Sequence, residues 1–138
     1  MDKKLLANIG LLIFRISFAG SLITHGYPKF LKLVEGNTAF PDPLGIGELP
    51  SLILTVFGEF IAPIFILVGW KTRIASIPPA IAMGVAVFII HGNDAFSKQE
   101  LAFLYFAAFV ALALLGGGKF GVDGLMKRNQ AGEFSLQN

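Results

Sequence analysis

The sequence of 138 residues contains no cysteine. That absence excludes disulfide bonds, thiolate catalysis, iron–sulfur clusters and cysteine-ligated zinc. Charged residues are also scarce, at 14% of the chain, whereas an average soluble domain has about 25%. Eleven Lys and Arg face nine Asp and Glu, and no basic block of the kind that binds a phosphate backbone is present. These absences argue against a water-soluble domain, a disordered chain and a nucleic-acid-binding protein.

Long apolar runs take the place of the missing charge. Hydrophobic residues make up 54% of the chain, and the mean hydropathy is +0.70. A membrane-spanning helix needs about 20 predominantly apolar residues, and residues 5–24, 51–70, 74–91 and 101–118 meet that requirement. Because no period-two alternation runs through them, the sequence predicts an all-α fold. This fold is an integral membrane bundle of four transmembrane helices, forming a single domain over residues 1–123 with a polar cytoplasmic tail at 124–138.

The distribution of Lys and Arg predicts the orientation of the bundle. Cytoplasmic loops of membrane proteins carry an excess of these residues. With the N-terminus inside, the inner side holds Lys3, Lys4, Lys71, Arg73, Lys119, Lys127 and Arg128, and the outer side holds Lys29, Lys32 and Lys98. This bias predicts that both termini are cytoplasmic. The charge of Arg15 in the first apolar segment argues against a cleaved signal peptide.

Two charged side chains lie inside predicted spans. Arg15 is about 15 Å from the start of the first helix, and Glu59 is about 12 Å from the outer end of the second. Since the two helices run in opposite directions, the two groups reach a similar depth, and an unpaired charge there is costly. The sequence predicts an Arg15–Glu59 ion pair. Such a pair acts either in function or only in fixing the register of the two helices.

Four further polar residues fall at the predicted outer boundary of the membrane or, for Tyr105, about 7–8 Å further in. They are His25, His91, Glu100 and Tyr105. Their convergence above the midplane pair predicts a ligand pocket near the outer leaflet, roofed by a short interfacial helix over residues 28–35. The alternative is that His and Tyr lie at headgroup level because they are amphipathic. Two histidines and a glutamate suffice in number for a metal, but no ligand-spacing motif is present, so we expect no metal site.

Several short motifs occur in a characteristic order along the chain. They are Arg15, His25-Gly26-Tyr27-Pro28-Lys29, Gly58-Glu59, Gly69-Trp70-Lys71-Thr72-Arg73, His91, Glu100-Leu101-Ala102-Phe103-Leu104-Tyr105 and Gly116-Gly117-Gly118-Lys119-Phe120-Gly121-Val122-Asp123. In these residues the chain resembles the DoxX family of small bacterial membrane proteins, from about Leu11 to Asp123.

The resemblance implies a four-helix protein of the bacterial inner membrane and a loose link to redox metabolism. Relatives include subunits of thiosulfate:quinone oxidoreductase and proteins connected with oxidative stress or quinone resistance. The family supplies no agreed catalytic residues. Arg15, His25, Glu59, His91, Glu100 and Tyr105 therefore carry over as candidate ligand-binding residues only.

Two functions compete on this basis. The first is a quinone-linked redox subunit, in which the polar pocket holds the quinone head group. No flavin or nicotinamide site is recognisable, so electrons would come from a redox partner protein. The second is a non-enzymatic scaffold or assembly factor that binds a lipid, a quinone, a partner helix or a second copy of the chain. On this basis quinone is the candidate cofactor. We expect the lipid bilayer as the surroundings of the chain and no nucleic acid as a partner.

Overall fold

The computed structural model describes residues 1–136, and within this range the regular secondary structure is helical. The helices are α1 (Lys3–Val34), α2 (Glu48–Val68), α3 (Thr72–Ile90), α4 (Phe96–Leu115) and α5 (Val122–Leu136). The first four are long and apolar enough to cross a membrane. The predicted all-α, four-helix transmembrane architecture is confirmed.

Helix α1 has 32 residues and continues ten residues beyond Thr24, where the predicted first span ends. The Asp2 carboxylate caps its first turn, and the helix then runs through Pro28 without a break. It ends where Gly36 adopts a left-handed conformation with φ 76°, which glycine tolerates without a steric cost. The separate interfacial helix expected over residues 28–35 is therefore wrong, and His25 lies inside α1 instead of at its end.

The backbone hydrogen-bond pattern of helix α2 changes near its middle. Residues Phe57–Ile61 form a π turn, in which the Ala62 N–H donates to the Phe57 carbonyl. The turn lies just before Pro63, which has no N–H to give to the Glu59 carbonyl in a regular α-helix. Widening of the helix at a proline accommodates that missing donor. Glu59 therefore lies within an irregular part of the backbone.

Helices α3 and α4 form a close antiparallel pair. The α2–α3 link turns through Gly69 and Lys71, both in the left-handed region, and α3 closes with a second π turn at Ala86–Ile90. Gly84 of α3 approaches the Phe106 ring so closely that a Cβ would lie 3.3 Å from it. Small residues at such contacts let helix backbones pack tightly in lipid.

The core of the bundle is built from all four spanning helices. Its fully buried side chains include Leu22 of α1, Ile66 of α2, and Phe109 and Leu112 of α4, together with Met83 of α3. We call the end at which α1 begins and α4 ends the proximal end, and the opposite end the distal end. The proximal end corresponds to the side predicted to be cytoplasmic.

The polar tail is helical as far as the structure describes it. Helix α5 covers most of the predicted tail at 124–138 and is largely exposed. Residues 137 and 138 lie outside the described residues. The Asn8 side chain of α1 accepts a 2.6 Å hydrogen bond from the Lys119 N–H, so the segment before α5 is attached to the first turns of α1.

Candidate functional site

The guanidinium of Arg15 joins the proximal ends of the helices. Its Nη1 donates a 2.7 Å hydrogen bond to the Gly117 carbonyl, and its Nη2 donates to the Phe120 carbonyl. Asp123 is near enough to interact with it electrostatically. Only 2% of Arg15 is exposed, so two planar N–H groups satisfy backbone carbonyls that would otherwise be buried without donors.

Asp123 completes this proximal network from the other side. Its carboxylate accepts hydrogen bonds from the N–H groups of Lys71 and Thr72, at 3.0 and 3.2 Å, and thereby caps the start of α3. Its own N–H donates to the Gly69 carbonyl at 3.0 Å. Added Cβ atoms on Gly69 or Gly121 would lie 2.7 and 2.8 Å from the guanidinium. The proximal motifs thus form a structural clasp that ties α1, α2, α3 and the α4–α5 link together.

The predicted Arg15–Glu59 ion pair is wrong. Glu59 instead pairs with Lys29 of α1. The depth estimate placed the start of α1 level with the ends of the other helices, whereas its first turns project beyond them and pack on the segment after α4. This offset brings Arg15 to the proximal end of the bundle and leaves Glu59 near the middle of α2.

Glu59 is held at mid-depth by close contact with α1. Only 5% of the residue is exposed, and its carboxylate accepts from the Lys29 ammonium. Its backbone carbonyl lies directly against Gly26, where a Cβ would collide with it. This contact requires glycine, because two helix backbones meet there. Lys29, with a side chain 33% exposed, closes the site toward the distal side.

Tyr105 and His25 lie beside this ion pair. Their rings meet edge to face with centroids 5.9 Å apart. Tyr105 is 5% exposed and lies close enough to the Ser21 side chain and to the Glu59 carboxylate to interact with both electrostatically. His25 and Ser21 themselves are exposed on α1. We call Ser21, His25, Lys29, Glu59 and Tyr105 the mid-depth cluster.

His91 and Glu100 occupy a different place. His91 follows α3, and its Nδ1 lies 2.8 Å from the Asp94 carboxylate, to which it donates in the matching tautomer. This hydrogen bond holds the pKa of Asp94 below its usual range. Gln99 donates to the carbonyls of His91 and Asp94 and closes the α3–α4 turn. Glu100 is exposed on the first turns of α4.

The structure therefore divides the six candidate residues into three groups. His25, Glu59 and Tyr105 meet in the mid-depth cluster, Arg15 belongs to the proximal clasp, and within residues 1–136 no hydrogen bond or ion pair links His91 or Glu100 to either. Sequence reasoning missed Lys29 and Ser21. A signal for both was available, since each is four residues from His25 and so lies on the same face of α1.

Among residues 1–136, no three His, Asp or Glu side chains lie together in a way that could hold a metal ion. The mid-depth cluster contains one carboxylate and one imidazole. Its hydrogen-bond donors suit a ligand with carbonyl or acidic oxygens.

Comparison with known proteins gives the family. The DoxX family model matches residues 10–92. The chain is 29% identical to the inner membrane protein YqjF of Escherichia coli (strain K12), over 91% of this chain and 98% of that protein. It is 25% identical to an uncharacterized protein of Haemophilus influenzae (strain ATCC 51907 / DSM 11121 / KW20 / Rd), over 88% and 86% of the two chains. No solved structure matches significantly. With its four spanning helices and this match over more than half of its length, the chain belongs to the DoxX family.

Proposed function

We propose that this DoxX protein is a quinone-linked redox subunit of the bacterial inner membrane, with the mid-depth cluster as its quinone site. The observation that carries the proposal is the exposure of His25 in a membrane-spanning helix, edge-on to Tyr105 and next to the Lys29–Glu59 pair. An ionisable side chain at this depth is costly unless it faces a partner or a cavity. A bound head group would supply that partner.

The chemistry of the cluster agrees with a quinone head group. The imidazole of His25 and the hydroxyl of Tyr105 are donors for the two quinone carbonyls. Each carbonyl oxygen takes up a proton when a quinone is reduced to a quinol, and the Lys29–Glu59 pair lies next to the two donors as a candidate proton relay. Because His25 lies on the outer surface of α1, the apolar tail of the ligand would remain in the lipid beside the helix.

The electrons must come from outside the chain. The sequence has no cysteine, and no flavin or nicotinamide motif was recognised in it. We infer a redox partner protein at the membrane, with this chain contributing the quinone-binding half. The Escherichia coli relative is named as an inner membrane protein, which supports the proposed location in the inner membrane.

The two histidines of the chain provide a matched test. We expect His25→Ala and Tyr105→Phe to weaken binding of a short-tailed ubiquinone to the detergent-solubilised protein about tenfold each, the equivalent of one lost hydrogen bond. His91→Ala should leave the affinity unchanged, since His91 lies in the α3–α4 turn. Calorimetric titration measures each constant. Equal affinity of His25→Ala and the wild type would refute the quinone site.

A second function, a non-enzymatic scaffold, is favoured by the surface pattern of α1. Ser17, Ser21, His25 and Lys29 recur every four residues and form one polar ridge on the helix. A partner helix or a second copy of the chain would cover it. Ser17→Cys introduces a single thiol on this ridge, since the chain has no other cysteine. Rapid disulfide-linked dimerisation in membranes would favour the scaffold, and a Ser97→Cys variant serves as the control because Ser97 lies in the first turn of α4.

A further inference from the structure

A basic cavity of about 700 Å³ lies at the proximal end. It is enclosed by the start of α3, the end of α4 and the first turns of α5. Four cationic side chains line it: Lys71, Arg73, Lys119 and Lys127. The only acidic group among the lining residues is Asp123, and its carboxylate is already committed to the two N–H groups at the start of α3.

The four cations are not neutralised by neighbouring carboxylates. Within residues 1–136 none of them forms an ion pair with Asp or Glu. The ammonium groups of Lys71 and Lys119 instead lie over the rings of Trp70 and Phe120, 5.2 and 5.0 Å from the ring centroids. With four cations against the single carboxylate of Asp123, the cavity lining has a net positive charge, which attracts an anion.

The position of Trp70 places this cavity at a membrane surface. Trp70, which is 37% exposed, lies in the link between α2 and α3 and contacts Phe65 of α2. Tryptophan is enriched at the membrane–water interface, at the level of the lipid head groups. The cations beside it therefore lie at the depth of lipid phosphates.

A second space, an apolar groove, begins about one helical turn from the cavity. It measures about 280 Å³ and runs between α3 and α4. Its walls are Ile77, Ala80, Ile81, Gly84, Phe106, Val110, Ala113 and Leu114. Ile74 and Leu115 belong to the cavity, and Ile77 lies one helical turn beyond Ile74, so the two spaces share one face. From Ile77 to Gly84 the groove extends about 10 Å, a third of the hydrocarbon thickness of a bilayer.

We propose that this face binds an anionic phospholipid, with the phosphate in the basic cavity and one acyl chain in the groove between α3 and α4. The combination of charge and apolar length identifies the occupant. A neutral quinone would leave the four cations without a partner, and a free phosphate would leave the groove empty. A partner helix would not place an anion at the level of Trp70. This site is separate from the mid-depth cluster and independent of the quinone proposal.

The test compares two lipids with identical acyl chains. The purified protein is incubated in mixed micelles that contain equal molar amounts of phosphatidylglycerol and phosphatidylcholine. The bound lipid is identified by native mass spectrometry. We expect phosphatidylglycerol to be retained preferentially. Replacing both Lys119 and Lys127 by Gln should reduce the preference about fivefold per removed charge. The matched control, Lys3→Gln with Lys4→Gln, removes the same amount of charge from exposed residues outside the cavity. This control should keep the wild-type preference for phosphatidylglycerol.

The groove is tested separately from the charges. Ala113→Leu adds bulk to a residue that lines it and should lower retention of phosphatidylglycerol, whereas Ala107→Leu, on an exposed position of α4 outside the groove, should not. Equal retention of the two lipids by the wild type would overturn the proposal. So would an equal loss in the Lys3/Lys4 control, saturation by inorganic phosphate with no lipid retained, or a second copy of the chain cross-linked through Ala113→Cys.

Discussion

Arg15 and Gly117 are 102 residues apart in the sequence and 2.7 Å apart in the structure, joined by the hydrogen bond from Nη1 to the glycine carbonyl. Gly117 follows the end of α4, and Arg15 lies in α1, so one side chain connects the first and last spanning helices. A Cβ on Gly117 would lie 3.0 Å from this nitrogen and 2.6 Å from the Thr72 hydroxyl. The charge of Arg15 therefore serves the assembly of the bundle at its proximal end.

We predict that Arg15→Met lowers the free energy of unfolding by about 2–3 kcal/mol, because it leaves the carbonyls of Gly117 and Phe120 without donors. Arg15→Lys should cost less but not recover the wild-type value, since one ammonium cannot reproduce the planar fork. Unfolding by titration with a denaturing detergent, followed by circular dichroism, measures the change. An unaffected Arg15→Met variant would contradict the clasp.

Gly26 is predicted to tolerate no side chain. In Gly26→Ala the added methyl group meets the Glu59 carbonyl, and overpacking of this kind costs about 1–3 kcal/mol. Gly20 provides the control on the same helix, since a Cβ there meets nothing within 4 Å. Gly20→Ala should be neutral or stabilising by up to about 1 kcal/mol, because alanine favours helix. Thermal unfolding of the two variants in the same detergent compares them directly.

The Lys29–Glu59 pair should behave as a coupled unit. Lys29→Met leaves the buried carboxylate without its partner, and we expect a loss of about 2 kcal/mol, below the 3–5 kcal/mol typical of a fully buried pair because Lys29 is partly exposed. Adding Glu59→Leu to Lys29→Met should recover most of this loss. The double-mutant cycle is measured by unfolding. Additive effects of the two substitutions would show that the pair is not coupled.

The distal loop should lose stability in acid through Asp42. The Gly47 N–H, at 2.8 Å, and the Ser51 hydroxyl, at 3.0 Å, hold the pKa of this carboxyl below its usual range. A depressed pKa stabilises the fold above the unfolded value of about 3.9, and the effect disappears as the pH falls through the folded pKa. The melting temperatures of wild type and Asp42→Ala should therefore differ at pH 7, and the difference should shrink only as the pH falls below about 3.9 toward the folded pKa. A difference in melting temperature that does not change with pH would contradict this prediction.

Topology is tested by labelling single cysteines in a chain that has none of its own. The Lys and Arg bias predicts that Asn37→Cys, in the α1–α2 loop, reacts with a membrane-impermeant maleimide in intact spheroplasts. Asn129→Cys, in α5, should react only after the membrane is opened. Both residues are exposed, so burial does not limit either reaction. The reverse pattern would place both termini outside the cytoplasm.

The sequence by itself determined the number of spanning helices and their class. In lipid, every backbone N–H and C=O must be paired within the helix, so apolar length alone predicts each span, and the four predicted spans all occur. The short link between α2 and α3, residues 69–71, also requires these two helices to be neighbours in the bundle.

Only the tertiary structure decided which polar groups meet. Depth along a helix is a relative quantity, since it depends on how far α1 slides past α2, and that offset is set by contacts such as Gly26 against Glu59. Helix α1 extends to Val34 and projects at the proximal end. This placement separates Arg15 from Glu59 and brings Lys29 to the Glu59 carboxylate. Helix rotation likewise aligned His25 with Tyr105 and left His91 in the α3–α4 turn with Asp94. Apolar length is a property of a segment, whereas the partner of a charge depends on the packing of several segments together.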